Sequence, residues 1–255
     1  MASIRSIDLN ADLGEHDGDG FARDDAILDV VSSASVACGA HAGTPSVLRR
    51  TVASAYAKGV AIGAHPGFPD REGFGRRDST LSVKDIGTSV AGQIALLMDS
   101  CAAERATVLY VKPHGALYNR SVADIELANE LVERIREIDD SLVVLTLPNS
   151  ALGAIAKQAG LSVAREAFID RAYLTDGTLV PRTRDGAVIH DPTLAAMRAV
   201  TMVRSRRVST IDGVDIEIDA ESFCVHGDSL NALETVSEAR RQLEEAGFSI
   251  APFAK

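Results

Sequence analysis

Side chains able to move protons, hold an anion or bind a metal recur in one kind of place along this chain, directly after a short β-branched run. Asn10, Asp12 and Glu15 follow the first run, His41 the second, and His65 with Asp70, Arg71 and Arg76 the third. Lys112 and His114 flank Pro113 after the fourth. Glu166, Asp170 and Arg171 follow the sixth, and His226 and Asp228 the last. Four of the six histidines therefore hold equivalent positions. One such histidine is ordinary. Four converge if the runs are parallel strands of one sheet, because the active site of such folds gathers at the carboxyl ends.

Two chemistries suit the set. In the first, Asp and His from several strands hold a Zn²⁺-like ion that activates water, with Asp12, His41, His65, His114 and His226 as candidate ligands. In the second, Asp12, Glu15, His65 or His114 acts as acid or base, and Lys112 stabilises a developing oxyanion. No HExxH and no helical pair of histidines at i,i+4 decides between them. Lys112 lies in an apolar stretch, where an ammonium needs a carboxylate partner such as Asp12 or Glu15. The chain has no GxxxxGK[ST] loop for ATP, no GxGxxG after the first strand for a dinucleotide, and no GxSxG elbow. The run EHDGDG (15–20) lacks calcium-loop spacing and reads as a polar turn. Cys38 reads as a small packing residue.

The elements that must position these residues alternate as strand, loop and helix. Strands are expected at Ser3–Leu9, Ser35–Cys38, Val60–Gly63, Thr107–Val111, Leu142–Leu145, Ser162–Ala167 and Ser222–Val225. Helices are expected at Asp24–Ser32, from Pro45 to before Lys58, and at Val83–Ala103, Val122–Glu137, Ser150–Ala159, Pro192–Arg204 and Leu230–Ala246. Thr44, Ser82 and Asp191 are the expected N-caps, with Pro at the first helical position twice. Ile125, Leu131, Ile135 and Ile138 are the inward candidates of the fourth helix. A polar loop spans 168–190, Val208–Asp219 suggests a hairpin arm, and Phe248–Ile250 a short last strand. Seven βα units without a linker favour one domain over 1–255, a seven-stranded parallel (β/α) barrel, over an open doubly wound sheet.

The 255 residues are 46% hydrophobic and 24% charged, with a net charge of −10. An acidic chain is a poor binder of nucleic acid and of anionic membrane surfaces. No apolar run of membrane-spanning length and no apolar leader core stands out. Cys38, Cys101 and Cys224 are odd in number and far apart, which suits reduced thiols; a cytoplasmic location is expected.

Taken together, IDLNADLGE (7–15), ACGAHAG (37–43), GVAIGAHPGFPDREGFGRR (59–77), VKPHGALYN (111–119), EAFIDRAYLTDGTLVPRTRDGAVI (166–189) and CVHGDS (224–229) resemble the LamB/YcsF family of 5-oxoprolinase A subunits over nearly the whole chain. Ala40 stands where that family usually has Phe, Thr44 where it has Asp, and His16 where it has a small residue. All three are expected at the pocket rim. The resemblance implies a barrel similar to that of polysaccharide deacetylases. It implies opening of 5-oxoproline to L-glutamate coupled to hydrolysis of ATP, used with Mg²⁺, and partner subunits B and C. No tightly bound organic cofactor is expected, and a further divalent metal is left open. A stable lactam must be activated, its carboxylate bound and water delivered. Arg71, Arg76 or Arg182 would clamp the carboxylate. Asn10, His41, Asp170, Arg171, His226 and Asp228 would complete the substrate site around Asp12, Glu15, His65, Lys112 and His114.

Three rivals remain at this level. The first is a metal-dependent deacetylase or amidohydrolase acting alone, and the second a non-catalytic subunit that presents 5-oxoproline. The third is a carbohydrate binder, which seven Phe, four Tyr and no Trp serve poorly.

Overall fold

The computed structural model describes residues 6–16, 20–229 and 231–255. Residues 3–5 of the expected first strand, 17–19 of the polar turn and Leu230 of the last helix lie outside the described residues. The strands are β1 (Ser6–Leu13), β2 (Ser33–Ala37), β3 (Ala61–His65), β4 (Val108–Val111), β5 (Val143–Thr146), β6 (Val163–Phe168), β7 (Arg207–Ser209), β8 (Asp215–Glu217), β9 (Ser222–Val225) and β10 (Ser249–Ile250). The helices are α1 (Gly20–Leu28), α2 (Pro45–Ala57), α3 (Val83–Ala103), α4 (Gly115–Ser121), α5 (Ile125–Ile138), α6 (Ala151–Gln158), α7 (Pro192–Ser205) and α8 (Ala232–Glu245).

β1 to β6 follow one another around a parallel sheet, and β9 closes it by pairing with both β6 and β1. The result is a closed seven-stranded parallel barrel. β10 extends β1 at its start through Ser6–Ser249 and Ile7–Ile250. β7 and β8 form the expected hairpin arm, antiparallel and apart from the barrel.

β1 shows how the sequence makes a barrel wall. Ile7, Leu9, Ala11 and Leu13 alternate with Asp8, Asn10 and Asp12, and all are buried. One face packs on helices and the other supplies polar groups to the lumen, as the period of two requires. Sequence alone ends this strand at Leu9 because polar residues begin there; those residues instead point into the barrel, so the strand runs four residues further. β3 likewise extends to His65. The first helix ends at Leu28, and Ser32 lies in the turn after it, its hydroxyl donating to Asp8 at 2.6 Å. The expected fourth helix is α5, which starts at Ile125 under the Asp124 cap, and an unexpected short helix, α4, precedes it. That cap moves the buried stripe to Leu127, Ala128, Leu131, Val132 and Ile135, and Ile125 is 65% exposed.

α3 is capped by Ser82 and presents buried Ile86, Val90, Ile94, Leu97 and Cys101. It is long and apolar enough for a membrane span by composition; in the fold that stripe belongs to the core around the barrel. Lower in the barrel, Tyr110 crosses the lumen to Ser35 at 3.1 Å and meets Phe253 edge-on at 4.9 Å. Gly63 makes room for the Tyr110 ring: a Cβ there would lie 2.2 Å from a ring carbon.

Candidate active site

The floor of the site is a buried ion cluster. Lys112 follows β4 and shares the inward face with Tyr110 two residues earlier. Its Nζ lies 2.5 Å from Asp12 Oδ1, 3.0 Å from Asn10 Oδ1, 3.1 Å from Glu166 Oε1 and 3.2 Å from Cys224 Sγ. Asn10 donates its amide to Glu166 and Ser222 at 2.9 and 2.7 Å, locking the cluster in register. Burial opposes the ammonium, but Asp12, Cys224 and Glu166 outweigh it and hold the Lys112 pKa well above normal. Burial likewise opposes the Asp12 carboxylate; His65 and Lys112 outweigh it and keep Asp12 ionised. Lys112 is therefore a fixed cation beneath Asp12, not a free amine.

Three histidines stand beside this floor. His65 Nδ1 donates to the Lys112 carbonyl at 2.7 Å, and His114 Nε2 donates to the Phe74 carbonyl at 2.8 Å. A carbonyl only accepts, so each of those two nitrogens carries a proton. The other two nitrogens, His65 Nε2 and His114 Nδ1, face each other at 2.9 Å, with Asp12 Oδ2 at 3.4 Å from His65. Nitrogens at that separation are bridged by a proton or stand together on one cation. Asp12, His65 and His114 are a nitrogen–nitrogen–oxygen donor set whose ligand atoms lie within 4.8 Å of one another, which suits a Zn²⁺-like ion. The backbone that shapes this arrangement is left-handed at two successive residues, strained at Phe74 with φ 54° and accommodated by glycine at Gly75 with φ 64°. Gly75 is required twice over, because a Cβ there would also press His41 and His114 at 2.8 and 2.9 Å.

Behind them, His41 stacks on His114 at 3.8 Å and its Nε2 meets Glu15 Oε1 at 3.2 Å. Burial, then the charges of Asp12 and Asp228, push the Glu15 carboxyl well above the usual range. Burial and the neighbouring His65 push His41 down to about 3, and burial with His41 and His65 pushes His114 down too. Glu15, His41 and His114 form a second possible donor set that shares His114. Cys38, whose thiol burial pushes up to about 12, is a packing residue.

His226 follows β9 and stacks on Phe168 at 5.2 Å. Its Nδ1 donates to Asp170 at 2.9 Å, and its backbone N–H to the same carboxylate at 3.1 Å. Burial works against the Asp170 carboxylate, but His226 outweighs it and keeps the group ionised. Asp170 thereby sets the tautomer and aim of a histidine that lines the cavity, an acid–base arrangement.

The cavity above the floor measures about 630 Å³ and is lined by Asp12, His65, Arg76, Lys112, His114, Arg171, Arg182 and His226 among the expected residues. Its far wall is the 168–190 loop, made rigid by Arg171, whose guanidinium donates to the Val180 and Ala187 carbonyls at 2.6 and 3.2 Å. Arg76 pairs with Asp228 at the rim. Asn10, Glu15, His41, Asp170 and Asp228 stand behind the lining and hold residues that form it. Arg71 is elsewhere: its guanidinium donates to the Gly39 and Gly43 carbonyls at 2.7 and 3.0 Å, tying down the loop after β2. Ala40, Thr44 and His16 are absent from the lining; Thr44 caps α2. Sequence reasoning names Glu166 at a strand end without giving it a role, and misses Tyr118, Phe168 and Thr178 as site residues. Alternation with buried Ala167 is a signal for Glu166 and Phe168, and the helical turn after His114 is one for Tyr118.

A model of the LamB/YcsF family matches residues 7–255. A 5-oxoprolinase A subunit of Pseudomonas syringae pv. tomato is 48% identical over 252 residues, 98% of each chain. The 5-oxoprolinase A subunit of Pyrococcus abyssi is 45% identical over 247 residues, 96% of this chain and 97% of that one. The crystal structure of a lactam utilization protein from Thermus thermophilus superposes with a TM-score of 0.90 at 41% identity, covering 97% of this chain and 100% of that one. The peptidoglycan deacetylase PdaC of Bacillus subtilis shares the fold, with a TM-score of 0.52 at 11% identity over 98% of this chain and 88% of that one. With the family model spanning nearly every residue and identities near one half over full length, the chain belongs to the LamB/YcsF family.

Proposed function

We propose that this chain is the A subunit of an ATP-dependent 5-oxoprolinase of the cytoplasm, opening the lactam of 5-oxoproline to L-glutamate together with B and C subunits. The observation that carries the reading is the pairing of Asp12 on its Lys112 base with the Asp170–His226 dyad, both at one cavity. Ring opening needs water directed at the carbonyl and a proton for the departing ring nitrogen. Asp12, with His65 or His114, orients and deprotonates the water. His226 gives the proton, and Asp170 steadies the imidazolium as it forms and is discharged. Lys112, saturated by its four partners, acts through Asp12 and not by direct contact with the oxyanion.

Phosphoryl transfer from ATP and Mg²⁺ falls to the partner subunits in this reading, since the chain carries no P-loop. Glutamate and ADP release from 5-oxoproline and ATP, measured with all three proteins and then with each omitted, tests it. Products that require all three support it; turnover by this chain alone without ATP overturns it.

A second reading, a metal-dependent amide hydrolase acting alone, is favoured by the facing ring nitrogens of His65 and His114 beside Asp12. A cation held by Asp12, His65 and His114 would supply Lewis-acid polarisation of an amide oxygen or of a water. Loss of activity to a chelator without any ATP requirement would select it.

A further inference from the structure

The cations of the cavity are unequal. Lys112 is matched by Asp12 and Glu166. Arg76 is matched by Asp228. Arg171 is bound to the Val180 and Ala187 carbonyls beside the Asp170 carboxylate. Among the described residues lining the cavity, Arg182 is the one cation with neither a hydrogen-bond nor an ion-pair partner. It is half-buried, so water does not fully replace the missing anion. It is also placed in advance. Pro181 precedes it, the Pro181 carbonyl accepts from the Arg184 amide at 2.9 Å to close a turn, and Arg171 grips Val180. Burial and then the neighbouring charge of Arg182 push Arg171 down to about 10 against the pull of Asp170, and Arg182 acts on the Asp170 and Asp228 carboxylates through space without a direct ion pair to either.

We infer that Arg182 is the specificity residue of the cavity, receiving the carboxylate of a small anionic substrate so that the substrate's reacting amide lies toward Asp12 and His226. The inference rests on the proposed lactam reading and selects among its three candidate arginines. Arg71 is engaged with backbone outside the cavity, and Arg76 already has its carboxylate. A planar guanidinium accepts a carboxylate through two parallel hydrogen bonds, which fixes orientation as well as charge. A phosphoryl group offers related oxygens, and the test separates the two.

Binding of 5-oxoproline, its neutral carboxamide and inorganic phosphate to the full-length chain is measured by isothermal titration calorimetry. The proteins are wild type, Arg182→Gln, Arg182→Lys and the exposed control Arg184→Gln. The expected result is a preference of about tenfold or more for the acid over the amide in wild type. Arg182→Gln should abolish it by weakening the acid alone, Arg182→Lys should restore part, and Arg184→Gln should match wild type. A preserved preference in Arg182→Gln overturns the inference and leaves the lactam reading standing. Arg182-dependent binding of phosphate with Arg182-independent binding of 5-oxoproline also overturns it. If wild type binds neither lactam, alone or in turnover with its B and C partners, the lactam reading fails and the inference with it. Should Arg182→Gln not fold by circular dichroism, Arg182→Lys decides, with an unchanged acid-over-amide ratio counting against.

Discussion

His65 Nε2 and His114 Nδ1 lie 2.9 Å apart, and the other nitrogen of each ring is held by a backbone carbonyl. Neither ring can turn its proton toward the other without losing a buried hydrogen bond, so the gap between them is built for a positive charge. On the metal reading, a calorimetric titration of metal-stripped protein gives one Zn²⁺-like ion per chain, and His114→Ala or Asp12→Asn weakens it by at least about 10- to 100-fold. A flat titration of wild type would remove the metal reading and leave a shared proton in that gap.

The Asp170–His226 pair makes a separate claim. Asp170→Asn keeps the shape but offers the wrong partner to Nδ1. Asp170→Asn and His226→Gln should each lower kcat for glutamate formation by about 10²- to 10⁴-fold with little change in Tm. Steady-state kinetics of the assembled enzyme, run beside thermal melts, checks both. A normal kcat in His226→Gln excludes it as the proton donor.

Asp8 predicts a pH dependence of stability unrelated to catalysis. Burial pushes its carboxyl up to about 6 from 3.8, against hydroxyl donors on Ser222, Ser32 and Ser33. The folded state prefers the protonated form, so this contribution is complete below about pH 4 and is lost as pH rises through 6. A shift of that size corresponds to roughly 3 kcal/mol. Urea unfolding of wild type against Asp8→Asn between pH 4 and 7.5 should show a falling difference that levels off above 6. Parallel curves would mean that Asp8 keeps an ordinary pKa.

Gly63 and Tyr110 should behave as one unit. Gly63→Ala places a methyl against the ring and should cost about 1–3 kcal/mol or more. In the Tyr110→Ala background the same change should cost much less, a coupling that a double-mutant cycle in denaturant reads directly. Additive effects would show that the ring moves aside freely.

Much of this architecture is open to reading from residues alone. The caps at Thr44, Ser82 and Asp191 and the full span of α3 follow from local rules, because a capping oxygen and an apolar stripe act within one or two turns. The inward polar row of β1 reads as a loop in sequence, since Asn10 and Asp12 look solvated until a closed barrel supplies Lys112, Ser222 and Glu166 around them. Arg71 and Arg76 cannot be told apart by sequence. Which guanidinium meets a backbone carbonyl, and which meets Asp228, depends on contacts across 28 and 152 residues. The expected convergence of His65, His114 and His226 on one cavity is present, whereas the division between lining residues and their supports at Glu15, His41 and Asp170 emerges only in three dimensions.

The insertion of β9 between β6 and β1 also has a kinetic meaning. Until residues 222–225 join the sheet, β1 and β6 are open edges, available to other chains. The same event brings Ser222 to Asp8 across 214 positions, Cys224 to Lys112, and His226 to Asp170. Contacts so distant in sequence carry a large loop-closure cost and cannot form before residues 222–228 are present. A growing or partly unfolded chain therefore has an exposed seam and an incomplete site at once, and chemistry begins only when the last barrel strand has entered.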